Sequence, residues 1–154
     1  MLNADGNLID ASCLAILAAL QHFRRPDVSV DGEDVTIYTI EEREPVPLSI
    51  MHHPICITFS FYYDGQIFIL DASLREEQVR EGEVIVTVNQ YGEICQIAKL
   101  GGVSVEPMTM LQIVSIAESK AKEIDQIISK GLLQDSLGRN VEGLIAELSA
   151  ENER

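Results

Sequence analysis

Apolar residues recur every three or four positions between Asn7 and Phe23, which is the spacing of a helix with one apolar face. The stripe consists of Ile9, Cys13, Ile16, Leu20 and Phe23, widened by Leu14 and Leu17. We predict a helix that buries this stripe. Asp5 or Asn7 can supply the N-cap oxygen, Asp10 lies in the first turn where a carboxylate suits the helix dipole, and Pro26 ends the helix.

Three pairs of short apolar and β-branched segments follow, each joined by a glycine-containing turn, and we predict three hairpins. The pairs are 28–30 with 35–38, 55–62 with 66–70, and 83–89 with 93–100. The strands of the second pair are expected to be buried. Residues 40–54 hold three of the five prolines, so a loop is expected there.

Two further helices are expected in the second half of the chain. Ser73 and Glu76 have the spacing of a capping box, which begins a short helix that reaches about Glu81. Pro107 precedes a long amphipathic helix that Gly131 is placed to stop, and residues 139–152 can form one more. The apolar face of the long helix is Met110 or Leu111, Val114, Ala117, Ala121, Ile124, Ile127 and Ile128. The order predicts an α+β fold of mostly antiparallel strand pairs packed by helices.

Composition and charge narrow the class of protein. The 154 residues are 46% hydrophobic, enough for one globular domain, and no segment predicts a membrane span or a signal peptide, so we expect a soluble intracellular protein. The formal charge is −14, which repels a phosphate backbone. Three separated cysteines indicate a reduced protein without disulfides.

Few side chains suggest chemistry from their spacing alone. His52, His53 and Cys56 cannot all converge from an extended segment, so no metal site is expected, and no cofactor is expected either. Arg24 and Arg25 are the candidates for a contact with RNA or with a neighbouring subunit, although salt bridges to the many carboxylates are the alternative.

Three stretches in order resemble one family, the RNase PH-like ring subunits of the eukaryotic RNA exosome. They are DGNLIDASCLAILAALQHFRRPDV at 5–28, PVPLSIMHHPICITFSF at 45–61 and ILDASLREEQVREGEVIVTVNQYGEICQI at 69–97. The segments HFRRPDV and PLSIMHHPIC look most like one particular subunit of that ring. The resemblance implies an RNase PH-like fold of the ribosomal protein S5 domain 2-like type. Residues 1–130 would be the C-terminal part of that domain, and 131–154 a helical extension or tail.

The resemblance also indicates which chemistry to look for. Active members of the family cleave RNA with inorganic phosphate, and a D-G-G-T-R-T-A-S stretch holds the phosphate through its Thr and Arg. Laid on Asp5 to Ser12, these positions fall at Leu8 and Ile9, which cannot bind phosphate. The family's paired aspartates would fall just before and within the strand that begins near Ile55, yet residues 45–63 contain no Asp or Glu.

The sequence therefore predicts a non-catalytic structural subunit of the exosome core ring, in the nucleus and nucleolus and also in the cytoplasm. Its partners would be other RNase PH-like ring subunits and RNA-binding cap proteins, with RNA bound through the assembled complex and no membrane contact. One alternative is half of a composite phosphorolytic site in which Arg24 or Arg25 takes over phosphate binding. The other is an unrelated acidic protein-interaction module.

Overall fold

The computed structural model describes residues 3–39 and 42–152, with side chains described as far as residue 138. The helices are α1 (Leu8–His22), α2 (Leu74–Val79) and α3 (Pro107–Asn152). The strands are β1 (Arg24–Arg25), β2 (Val28–Asp31), β3 (Asp34–Ile37), β4 (Val46–Pro47), β5 (Ile55–Tyr62), β6 (Ile67–Leu70), β7 (Gly82–Val88) and β8 (Ile94–Ala98). The predicted α+β class and the three predicted hairpins are confirmed, because every strand pairing of the described residues is antiparallel.

The core lies on one face of a four-stranded sheet of order β6-β5-β7-β8. Alternate residues of β5 and β7 point to this face, and α3 packs on it through Ile113, Ala117 and Ala121, all fully buried. The sheet contributes Ile55, Ile57, Phe59, Phe61, Val84, Val86 and Val88. Small alanines on α3 let the helix approach the aromatic rings of β5 closely.

Helix α1 covers an open edge of this sheet. Strand β6 pairs with Phe59–Tyr62 of β5. Within the described part of the chain, the first half of β5 therefore has β7 on one side and no strand on the other. α1 lies along that half: the Asp10 carboxylate accepts the Thr58 backbone N–H at 2.8 Å, and the Cys13 thiol contacts the Pro54 carbonyl at 3.3 Å. A helix thus satisfies backbone groups that a neighbouring strand would otherwise pair.

The predicted buried stripe of α1 is wrong. Ile9, Ile16, Leu20 and Phe23 are 44–60% exposed, whereas Asp10 and Leu17 are buried and Leu14 packs against the core. The physical reason is that Asp10, Leu14 and Leu17 follow helical spacing as well, and the Asp10 carboxylate finds donors on β5. The helix therefore presents its more apolar face outward.

Three other expectations need adjustment. The loop expected at 40–54 contains the short strand β4, which pairs with β1. Helix α3 runs through Gly131, so the prediction that this glycine stops the helix is wrong, and 139–152 belong to α3 instead of forming a helix of their own. The capping box at Ser73 and Glu76 is confirmed, although α2 ends at Val79 instead of Glu81. No helix of the described residues is long and apolar enough to cross a membrane.

Candidate functional site at the first helix

The turn before α1 is held against the chain that precedes α2. Gly6 has φ +94°, and a Cβ added there would lie 2.3 Å from the carbonyl oxygen of Ala72. The Leu74 backbone N–H donates to the Asp5 carbonyl at 3.0 Å in the same place. Glycine is therefore required here for a close backbone approach, with or without a bound phosphate.

Asn7 occupies the N-cap position of α1 but does not cap it. Its backbone is left-handed (φ 47°), and its side chain makes no capping hydrogen bond, so the expected N-cap oxygen from Asp5 or Asn7 is wrong. Instead the Asn7 side-chain amide donates to the Asp71 carboxylate at 2.9 Å, and its backbone N–H donates to Glu77 Oε1 at 2.8 Å. These bonds join the start of α1 to the segment around α2.

Leu8 and Ile9, which the resemblance lays on the family's phosphate-binding Thr and Arg, line an apolar groove. They are 42% and 50% exposed, and the groove beside them has a volume of about 720 Å³. Its other lining residues are Ser12, Cys13, Ile16, Leu17, Leu20, Ile50, His52 and Pro54. No Lys or Arg among the residues with described side chains lines it, so this part of the chain offers no fixed positive charge to a phosphate there.

Asp10 points to the opposite side of α1, into the protein. It accepts two hydrogen bonds from Thr58, one from the backbone N–H at 2.8 Å and one from the hydroxyl at 2.7 Å. Burial raises the pKa of the Asp10 carboxyl above its ordinary value, while the Thr58 bonds partly offset that rise. The carboxylate is thus a desolvated structural acceptor that fixes α1 on β5.

A second cavity, of about 420 Å³, lies on this inner side of α1. Asp10 and Asp71 line it together with Lys120 of α3, and Gly6, Asn7, Ala11, Leu14, Cys56, Ile57, Thr58, Leu70 and Ile124 complete the wall. Because its wall carries two carboxyl groups and one ammonium group, this cavity does not favour the binding of an anion. No local sequence pattern indicates that Asp71 and Lys120 meet Asp10, because the three residues lie far apart in the chain. Only the spacing of Asp10, Leu14 and Leu17 signalled that Asp10 faces inward.

Arg24 and Arg25 lie at the other end of α1, which is about 22 Å long for its 15 residues. Nη1 of Arg24 donates to the carbonyls of Gln21, His22 and Phe23 at 2.8, 3.2 and 3.1 Å, so this guanidinium caps the helix C-terminus. Arg25 is exposed in β1. The hydrogen bond from Arg43 lowers the pKa of the nearby Asp27 carboxyl, and the charge of Arg25 adds only a minor part. The structure therefore does not bring either arginine to Leu8 and Ile9.

His52 and His53 make polar contacts with other elements of the described structure. His53 Nδ1 lies 2.9 Å from the Asp125 carboxylate of α3, and its backbone N–H donates to the Gln90 side chain at 2.7 Å. His52 Nδ1 lies 3.4 Å from the Asn89 side-chain nitrogen. Within residues 3–39 and 42–138, no group of three or more His, Cys, Asp or Glu could hold a metal ion.

Comparison with known proteins places this arrangement in a family. The sequence model of the 3′ exoribonuclease family, domain 2, matches residues 52–120. The exosome complex component rrp45 of Schizosaccharomyces pombe is 45% identical over 153 residues, which cover 99% of this chain. The chain belongs to the RNase PH-like family of exosome subunits.

Human exosome complex component RRP45 is 46% identical over 143 residues, or 93% of this chain. Because RRP45 is the polymyositis/scleroderma autoantigen subunit, the resemblance of residues 22–28 and 47–56 to one particular ring subunit is confirmed.

The chain spans about half the length of some of these relatives and less of others. It covers 52% of the Schizosaccharomyces pombe protein and 33% of the human one. Two solved structures share the fold at 22% identity. An Archaeoglobus fulgidus exosome with RNA bound to the active site has a TM-score of 0.62, covering 81% of this chain and 44% of that one. An archaeal exosome core has a TM-score of 0.65, covering 83% and 47%. The predicted RNase PH-like fold is thereby confirmed.

Proposed function

We propose that this chain is part of a non-catalytic structural subunit of the RNA exosome core ring, which supports 3′ to 5′ RNA processing and degradation. Its partners are other RNase PH-like ring subunits and RNA-binding cap proteins, and RNA binds through the assembled complex. Residues 1–130 are the C-terminal part of the RNase PH-like domain, and 131–154 are a C-terminal helical extension or tail. The complex works in the nucleus and nucleolus and in the cytoplasm.

One observation supports the proposed lack of catalysis: Leu8 and Ile9, which the resemblance lays on the phosphate-holding positions of active relatives, lie beside a groove that no described Lys or Arg lines. A phosphate placed there would lose its hydration without gaining a charge-assisted hydrogen bond. On the other side of α1, Asp10 and Asp71 would repel it. A composite phosphorolytic site that uses Arg24 or Arg25 is also disfavoured by distance. Both arginines follow the end of α1 that lies away from Leu8 and Ile9.

Isothermal titration of the chain with inorganic phosphate and with a short poly(A) tests this proposal. We expect no heat above that of dilution for either titrant. Saturable heat with phosphate that disappears in Lys120→Met would instead indicate an anion site in the inner cavity. Lys122→Met is the matched control, since Lys122 lies on the same helix and bonds Glu118 at 2.6 Å outside that cavity.

A further inference from the structure

The hairpin of β2 and β3 has one purely apolar face that the described residues leave open. In the antiparallel register Val28 lies opposite Ile37 and Val30 opposite Val35. Residues that are opposite, or two apart on one strand, share a face, so these four side chains form one continuous patch. The exposed fraction is 40% for Val28, 66% for Ile37, 67% for Val30 and 61% for Val35.

This hairpin has little support from the rest of the described structure. Seven of its eight strand residues are exposed, and β2 and β3 form a two-stranded sheet of their own. An isolated two-stranded hairpin is marginally stable in water, and it gains independent stability when a third element covers its apolar face. The sequence nevertheless places four β-branched residues on that one face, which is typical of a surface that becomes buried.

The charge around the tip indicates what kind of surface covers it. Residues 26–39 contain no Lys or Arg. Asp31 lies directly opposite Asp34 at the end of the face that carries Ser29 and Thr36, and this like-charge pair destabilises the hairpin. Glu33 sits in the turn between them. None of these three carboxylates has a salt bridge within the described residues, whereas Asp27 at the base is paired with Arg43 at 2.8 Å. A cationic partner would relieve this repulsion.

We propose that the β2–β3 hairpin is a docking arm for a neighbouring exosome subunit, which covers Val28, Val30, Val35 and Ile37 with an apolar surface bordered by Lys or Arg. The apolar surface removes the four side chains from water, and its basic border reaches around the turn to Glu33 and to the Asp31–Asp34 pair at the end of the other face. This inference rests on the proposed function, because it needs the ring as the source of the partner.

Site-specific photocrosslinking in the reconstituted complex tests the inference. The full-length subunit that contains this chain carries benzoylphenylalanine at Val30, and it is assembled with the ring subunits and cap proteins of the same species. We expect a crosslink to another subunit, at a peptide that contains Lys or Arg beside apolar residues. The matched control carries the same probe at Thr36, on the opposite face of the hairpin, and should give much less of that product.

A binding measurement gives an independent test. Val30→Thr with Val35→Thr keeps side-chain shape and strand preference but adds hydroxyl groups to the patch. We expect the double variant to bind the other ring subunits with a dissociation constant about tenfold higher. Thr36→Ser should leave this dissociation constant unchanged. A crosslink from Val30 to its own chain or to a second copy, no crosslink in an assembled complex, or unchanged incorporation of the double variant would overturn the inference. Failure of the unmodified subunit to enter the ring would instead contradict the proposed function.

Discussion

Replacement of Asp10 by Ala should detach the start of α1 from β5. Asp10 is 8% exposed, and its two hydrogen bonds to Thr58 are the polar link between these elements. A hydrogen bond to a charged group contributes about 1.5–3 kcal/mol, and the variant also leaves the buried Thr58 N–H without an acceptor. Removal of a desolvated carboxylate offsets part of this loss.

We therefore expect Asp10→Ala to lower the free energy of unfolding by about 2–3 kcal/mol. For a chain of this size that corresponds to a fall in Tm of about 8 °C, at roughly 3 °C per kcal/mol. Urea titration and thermal melting followed by circular dichroism measure both quantities. Ser12→Ala is the matched control, because Ser12 is exposed on the same helix, and it should change stability by no more than about 0.5 kcal/mol.

The pH dependence of this loss has a defined sign. Because the folded-state pKa of Asp10 is raised above the ordinary 3.8, folding favours the protonated carboxyl. The stability that Asp10 contributes is therefore fully present below 3.8 and decreases as the pH rises through the folded-state pKa. The difference between the unmodified chain and Asp10→Ala should be larger near pH 3.8 than near neutral pH. A difference that shrinks on acidification, or no loss of stability at all, would refute the role assigned to Asp10.

Three further predictions concern the core, the glycines and the thiols. Phe59→Ala, in a fully buried position of β5, should lower the free energy of unfolding by about 3–5 kcal/mol in urea titration. Gly131→Ala should raise the free energy of unfolding by about 1 kcal/mol because no described atom lies within 4 Å of the added Cβ in α3. Gly6→Ala should lower it because a backbone oxygen occupies that space. Burial raises the pKa of the Cys56 thiol to about 11, so iodoacetamide should alkylate exposed Cys95 well before Cys56, as peptide mass spectrometry would show. Faster labelling of Cys56 would contradict its position in the fold.

The strand pairs could be predicted from the sequence because the patterns that indicate them are local. Glycine turns separate β-branched segments at 28–37, 55–70 and 82–98, and the pairing needs only neighbouring segments to fold back. The capping box at Ser73 is equally local. Neither pattern depends on which element covers the sheet, so the structure confirms both the hairpins and the capping box.

The orientation of α1 could not be obtained in this way, because it depends on a partner distant in the chain. The stripe from Ile9 to Phe23 is the more apolar face, and periodicity alone directs it inward. The structure directs Asp10 inward instead, because Thr58 lies on the edge of β5 that β6 leaves open. Gly131 illustrates a related limit, since the helix preference of its neighbours outweighs the cost of one glycine.

The same dependence on distant contacts affects the candidate site residues. The family resemblance lays Leu8 and Ile9 on the expected phosphate-binding positions, but it does not reveal that Gly6 packs against the backbone of Ala72. The structure also gives Arg24 a capping role that spacing alone did not suggest. The glycine of the DGN turn is therefore explained by packing, without a ligand.

Reconstitution of the exosome ring tests the central claim most directly. The full-length subunit that contains this chain is combined with the other ring subunits, and the assembly is analysed by size-exclusion chromatography and then incubated with labelled RNA and inorganic phosphate. We predict that the subunit enters the ring and that Asp10→Asn and Asp71→Asn in this subunit leave any phosphate-dependent release of nucleoside diphosphates unchanged. Exclusion from the ring, or a phosphate-dependent activity that these substitutions abolish in a ring that still assembles, would contradict the account.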